Sequence, residues 1–203
     1  ILLIQTLNIK HLIVGDDFHF ARNREGGFDH LERSGKALGF ELKKISSVVE
    51  NDKRVSSTLI RQYLQSGNLE EAARFLGKPF RMSGKVIKGE KLGRKLGYPT
   101  ANVSIGRINT PIMGIFAVKI YGLSNEPLEG VASLGLRPTF YEKKKPLLEV
   151  HIFNFDRDIY GHYIQVDFLQ KIRDEEKFIN SEALIEQMHL DSDAAKRVFK
   201  QSN

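Results

Sequence analysis

"GIFAVKIYG", residues 114–122, is the stretch on which the fold turns. Phe116, Val118 and Ile120 alternate with Ala117, Lys119 and Tyr121. That period of two sends one row of a strand into a core and leaves the other row outside. Four neighbours are likewise short and β-rich: "FRMSGKVIKG" (80–89), "EGVASLGL" (129–136), "LLEVHIFNF" (147–155) and "YIQVDFLQKI" (163–172), each bounded by turn residues. Five or six such strands in about 90 residues predict a small closed barrel, because closure removes the exposed edges of an open sheet.

Outward from the barrel the pattern changes. Downstream, a helix is expected from Ser181, with Leu184, Ile185 and Met188 on one stripe, and a last short helix after Asp191. Upstream, "IKHLIVG" (9–15) reads as a strand and "GDDFHFARNREGG" (15–27) as an irregular loop. A helix is expected from Asp29, with Glu32 completing a capping box and Gly39 just past the end. "FELKKISSVVE" (40–50) reads as another strand. "SSTLIRQYLQSG" (56–67) reads as a hydroxyl-capped helix, and "NLEEAARFLG" (68–77) as a second one capped by Asn68 and Glu71 and stopped at Gly77 ahead of Pro79. Strand, helix, strand, helix is an α/β unit. The expected fold is therefore α+β: an α/β segment, then a small closed barrel of five or six strands with C-terminal helices, the boundary lying near residues 77–80.

Composition narrows the chemistry. The chain has no cysteine, which excludes disulfides, thiolate metal sites and a cysteine nucleophile and fits a reducing cytoplasm. Its longest apolar runs, Ile1–Ile4 and Leu12–Val14, are far short of a bilayer span, and no signal peptide is visible. The chain opens on Ile1 rather than Met, as a piece of a longer protein would. A net charge of +6 suits an acidic partner: nucleotide phosphates, nucleic acid or an acidic surface. The six histidines show no metal-ligand spacing.

"GRKLGYPTAN" (93–102) is the first candidate site. Its glycines let backbone amides approach a ligand, Arg94 and Lys95 supply positive charge, and Pro99 fixes the exit direction. If the chain leaves as a strand, Thr100 and Asn102 share one face and present two oxygens at one point. Mg²⁺, which takes one or two protein ligands and fills its shell with water and phosphate, fits such a pair; equally, Thr and Asn satisfy turn backbone. The spacing matches neither a Walker A loop nor a Gly-x-Gly-x-x-Gly turn. Glu149, on one strand face with His151 and Phe153, suits a general base for a hydroxyl nucleophile or simply a solvated strand face. Ser56, Ser57 and Thr58 open a helix whose free amides favour an anion, with Arg61 one turn in; helix capping alone also accounts for the hydroxyls.

Four ordered motifs, "GKVIKGEKLGRKLGYPTANV", "SLGLRPTF", "LLEVHIFNFDRDIYG" and "DFLQKIRDEEKF", together resemble the riboflavin kinase module over nearly all of residues 78–203. Upstream, "VGDDFHFARNREGG" and "VSSTLIRQYLQSGNLEEAARFLGKPF" resemble the second half of the FMN adenylyltransferase module of the bacterial bifunctional riboflavin kinase/FAD synthetases. The resemblance implies a truncated Rossmann-like α/β nucleotidylyltransferase segment over residues 1–78 and a six-stranded antiparallel barrel with C-terminal helices over 79–203, with ATP, Mg²⁺ and riboflavin as ligands. It implies Gly89 and Lys95 in an ATP-covering loop, Thr100 and Asn102 on magnesium and phosphate, and Glu149 as base on the riboflavin 5′-hydroxyl. Asn154 and Tyr160 fall at the nucleotide, and Arg173 and Phe178 at a flap near the flavin. Ser57, Thr58 and Arg61 match the adenylyltransferase ATP-phosphate site, and Asp17 and Phe18 its ligand loop.

The sequence departs from the family pattern in places. Ala21 stands where the family usually has Gly, Gly27 where Asp is common, and Ser133-Leu134 where Asn-Ile is usual. The His-x-Gly-His motif of adenylyl transfer is absent, because no two histidines are three apart. The resemblance thus implies that this chain makes FMN and that FAD synthesis belongs to a longer parent. Small-molecule substrates, no membrane and no nucleic acid are expected. The rival reading is a basic barrel binding single-stranded nucleic acid, which would interleave surface aromatics with Lys and Arg; the chain has no Trp, and its basic residues cluster around glycines.

Overall fold

In the computed structural model, which describes residues 2–89, 92–106, 110–137 and 145–201, the first strands pair in parallel. β1 (His11–Gly15) lies beside β2 (Glu41–Ile45), joined through α1 (Phe28–Leu38). This is the strand–helix–strand crossover that parallel pairing requires. α1 starts one residue earlier than the sequence suggests: Gly27 is its N-cap without a side-chain bond, and Glu32 pairs with Lys36 at 3.8 Å instead of closing a capping box. Gly39 ends it in the left-handed conformation, as expected. The predicted strand over 40–50 is two strands, because β3 (Val49–Glu50) turns back on β4 (Lys53–Arg54). Asn51 and Asp52 both take positive φ between them, as a two-residue type I′ hairpin needs.

Cα packing divides the chain into two units, Ile1–Val55 and Ser56–Asn203. In the second, α2 (Ser57–Gln65) is capped by Ser56, whose hydroxyl accepts from the Leu59 amide at 3.2 Å. α3 (Leu69–Leu76) is capped by Asn68, whose side chain accepts from the Glu71 amide at 3.1 Å. Both helices pack with the barrel: Leu64, Leu69 and Ala72 join its apolar core. The sequence had grouped them with the upstream strands, since an amphipathic stripe shows that a helix is covered but not by what.

The barrel contains β5 (Phe80–Ile87), β6 (Ala101–Ser104), β7 (Gly114–Tyr121), β8 (Leu128–Arg137), β9 (Lys145–Ile152) and β10 (Tyr163–Arg173); a short helical turn, α4 (Leu92–Lys95), lies between β5 and β6. It closes in the order β10–β5–β6–β9–β8–β7, every pair antiparallel. This is the closed barrel that the alternation predicts, with the six strands that the resemblance implies. Phe116, Val118, Ile120, Leu148, Val150, Ile164 and Val166 are all fully buried. Phe116 meets Phe168 edge-on at 5.3 Å between ring centres. Burying side chains of this kind contributes about 1.5–3 kcal/mol each.

The outer face is covered by α5 (Ser181–Gln201), a single helix of 21 residues capped by Asn180 through the Ala183 amide at 2.9 Å. Asp191 does not begin a new helix; its carboxylate pairs with Arg173 on β10, so it stays inside α5. Ala117, read as an outward position, is fully buried with Ala195 and Phe199 of α5.

Candidate active site

Glu149 lies on the outer face of β9, while Leu148 and Val150 on either side are buried in the barrel. Register then sets its neighbours. Asn102 of β6 stands directly opposite Glu149 on one side, and Ser133 of β8 on the other. Sequence separation hides this row of oxygen-bearing side chains, but antiparallel pairing builds it.

Asn102 is 6% exposed, and among the described residues its Oδ1 is the one buried side-chain oxygen or nitrogen without a hydrogen-bond partner. A buried acceptor left without a donor costs about 1–3 kcal/mol, which makes the position a candidate ligand site. Gly89 makes room for it: a Cβ there would lie 2.2 Å from Asn102 Nδ2. Gly93 does the same in α4, where a Cβ would lie 2.3 Å from the Tyr98 carbonyl and 3.2 Å from Thr100 Oγ1. The glycine-rich segment folds into a short helical turn. The Tyr98 amide donates to the Gly93 carbonyl at 2.8 Å, and Gly97 closes the turn at φ 84°.

Two clefts meet at this point. The first, about 470 Å³, is lined by Arg94, Thr100, Phe155, Asp156, Arg157, Asp158 and Tyr160 among others. The second, about 300 Å³, is lined by Tyr98, Thr100, Glu149, His151, Arg173, Glu175, Phe178, Met188 and Asp191 among others. Thr100 belongs to both. A reactant in either cleft therefore reaches the same hydroxyl, and the second also reaches the Glu149 carboxylate. Such a layout suits group transfer between two separately bound molecules.

The walls are held by polar contacts. Arg173 forks onto Asp191 at 2.8 and 2.7 Å, Gln187 donates to the same carboxylate at 2.9 Å, and Glu176 lies 3.2 Å from the guanidinium. The Asp191 hydrogen bonds raise the Arg173 pKa above its ordinary value against the opposing effect of burial, so the cation is permanent. Its face covers Phe178 at 5.6 Å, tying the flap after β10 to α5. Burial pushes the Tyr98 phenol up; its hydroxyl bonds His189 on α5, and its ring meets His151 edge-on at 5.1 Å. In the first cleft, Asp158 Oδ1 accepts from the Tyr160 amide at 3.0 Å and Arg157 donates to the Leu123 carbonyl at 2.7 Å.

The structure thus brings Gly89, Thr100, Asn102, Glu149, Tyr160, Arg173 and Phe178 around one centre. Asn154 is exposed, sits at φ 53° in the turn after β9, and is not among the lining residues of either cleft. The Lys95 side chain and Pro138–Phe140 of the "SLGLRPTF" motif lie outside the described residues. His151 and Asp191 were missed as site residues. His151 was visible on the Glu149 face of its strand, whereas nothing local to Asp191 pointed to Arg173.

The adenylyltransferase candidates fall in different units. In the first, Asp17 pairs with Arg54 at 2.6 Å, and Phe18 stacks on Phe20 at 5.9 Å. Beside them the Ser47 hydroxyl and amide bond Asp16 at 2.7 and 2.8 Å, holding its carboxyl below the ordinary value, with Arg54 assisting. In the second unit, Ser57, Thr58 and Arg61 are exposed on the opening turns of α2.

The riboflavin kinase family model, described as Flavokinase, matches residues 76–199, and that of FAD synthetase matches residues 1–59. The bifunctional riboflavin kinase/FMN adenylyltransferase of Escherichia coli strain K12 is 42% identical over 198 residues, which is 98% of this chain and 63% of that protein. Its Haemophilus influenzae counterpart is 43% identical over 197 residues, covering 97% and 64% respectively. The chain thus spans somewhat under two thirds of these relatives. A crystal structure titled as a macrolide-efflux protein from Streptococcus pneumoniae superposes with a TM-score of 0.76 at 31% identity, over 95% of this chain and 62% of the other. Among the described residues, no helix is long and apolar enough to cross a membrane.

Proposed function

The chain belongs to the riboflavin kinase family, and on that premise we propose that it transfers the γ-phosphoryl group of ATP to the 5′-hydroxyl of riboflavin, giving FMN and ADP. The observation that carries this reading is the meeting of two clefts at Thr100, beside Glu149 and the unsatisfied Asn102 oxygen. ATP occupies the first cleft, with Arg94 near its phosphates and Tyr160 toward the nucleoside. Riboflavin occupies the second, between Phe178 and the apolar wall of α5, with Arg173 holding the flap.

Glu149 accepts the 5′-hydroxyl proton as that oxygen bonds to the γ-phosphorus. The bond between the γ-phosphorus and its bridging oxygen breaks, and ADP leaves with the electron pair. The donors fit Mg²⁺: Asn102 Oδ1 is a buried acceptor without a donor, and Thr100 Oγ1 is an oxygen beside it in sequence. When bound, the ion neutralises charge on the β- and γ-phosphate oxygens. α4, whose Gly93 and Arg94 line the clefts, shields their junction from water.

Residues 1–78 we assign to the C-terminal part of an FMN adenylyltransferase-like domain and 79–203 to the kinase domain. This division by family lies downstream of the packing division at residues 55 and 56. In the parent protein Asp17, Phe18, Ser57, Thr58 and Arg61 would serve the adenylyl site. The setting is the cytoplasm, where ATP and riboflavin meet. The single-stranded nucleic-acid reading finds no support, since the riboflavin kinase family model covers the barrel. The test is chromatographic: riboflavin, ATP and Mg²⁺ with the purified chain should yield FMN and ADP one for one. Riboflavin unchanged over many hours would reject the proposal.

A further inference from the structure

The β6–β9 ladder pairs Val103 with Leu148, Asn102 with Glu149 and Ala101 with Val150, and then stops. Continued by one step it would set Thr100 opposite His151, but Pro99 has no amide to donate. Thr100, the residue shared by both clefts, therefore lies just outside the backbone pairing that fixes Asn102. His151 supplies the missing tie. Its Nδ1 lies 2.9 Å from the Pro99 carbonyl oxygen. That oxygen only accepts, so Nδ1 carries the proton. The ring is set by edge contacts with Tyr98 at 5.1 Å and Phe153 at 5.7 Å, and it lines the second cleft.

We propose that His151 is a positioning residue for phosphoryl transfer: standing on the flavin side, it holds the Pro99 carbonyl and so sets the Thr100 hydroxyl toward the nucleotide and its metal. The inference rests on the kinase reading above. It requires that a change on the flavin side of the strand be felt in nucleotide affinity, which a side chain merely lining the flavin cleft would not produce. On its other side Thr100 lies close to α4, where a Cβ on Gly93 would stand 3.2 Å from its Oγ1.

Three variants separate the possibilities. His151→Phe keeps the ring and its edge contacts but loses the donor. His151→Asn keeps an N–H at the Nδ1 position, and His151→Gln moves it one carbon outward. ADP·Mg²⁺ titrated calorimetrically into His151→Phe should bind about fivefold more weakly, and kcat should fall by a similar factor. His151→Asn should recover both to within about twofold of the parent, while His151→Gln should not. Thermal midpoints identify any variant that has lost its fold. Parent-like ADP·Mg²⁺ affinity in His151→Phe, or equal behaviour of the Asn and Gln variants, overturns the inference. A parent chain that binds ADP·Mg²⁺ but makes no FMN overturns the kinase reading and this inference with it.

Discussion

Replacing Gly89 by Ala adds one methyl group at a crowded point of the site. The new Cβ would stand 2.2 Å from Asn102 Nδ2, 2.6 Å from Cγ and 2.9 Å from Oδ1, all well inside van der Waals contact. Gly89 is not among the residues at positive φ, so alanine carries no backbone penalty there and the contact alone decides the outcome. Asn102 has nowhere to retreat. Its backbone is paired with Ile87 on one side and Glu149 on the other, and its side chain is buried. What yields is the carboxamide torsion, the coordinate that aims Oδ1. Overpacking of this size costs about 1–3 kcal/mol. Taken from nucleotide binding, that is a loss of roughly 5- to 150-fold in ADP·Mg²⁺ affinity. Calorimetry gives the affinity and a thermal melt gives the fold. Gly97→Ala is the control: its Cβ would meet nothing within 4 Å, but φ is 84°, so it should lower stability by about 1 kcal/mol and leave Asn102 untouched. Unchanged ADP·Mg²⁺ binding in a folded Gly89→Ala chain would refute the reasoning.

Ala21 sits at φ 67° and ψ 174°, a region that is essentially glycine-only, so Ala21→Gly should stabilise the first unit by about 1 kcal/mol, read as slower amide exchange in β1 and β2. Asp191→Asn breaks the fork on Arg173, 19% exposed and still within reach of Glu176; stability should fall by about 1–2 kcal/mol and flavin affinity severalfold, followed by flavin fluorescence. The folded pKa of Asp16 is lowered below 3.8, so its contribution is present above pH 3.8 and lost as pH falls through the folded value. Asp16→Asn should therefore remove part of the acid sensitivity of the segment around Ser47, seen as a flatter exchange profile between about pH 5 and 3.

What could be read in the sequence divides along physical lines. The strand alternation around Phe116 was legible because a barrel wall imposes a period of two on every strand. The caps at Ser56 and Asn68 were legible because they act within three residues. Ala117 was not, since its cover, α5, lies some 80 residues downstream, a distance taken from Phe199. Nor was the continuity of α5: Asp191 reads as a cap locally, and only Arg173, brought alongside by the fold, gives it a reason to stay helical. At the site, Thr100, Asn102 and Glu149 were each legible by residue type and resemblance. Their meeting depends on register between β6 and β9 and on the space left by Gly89 and Gly93, which no local pattern encodes. The departure at Ala21 was visible in the sequence; its strained backbone became visible only in the structure.

The central claim is that Glu149 is the base at the junction of two occupied clefts, and the most direct test is Glu149→Gln. The variant keeps the size of the side chain on a strand face outside the core, so the fold and both binding affinities should stay within about twofold of the parent. Single turnover with γ-labelled ATP, with both ligands saturating, should slow by about 10²-fold or more, and the label should reach FMN at that reduced rate. A Glu149→Gln chain that binds both ligands and transfers label at the parent rate would contradict the account.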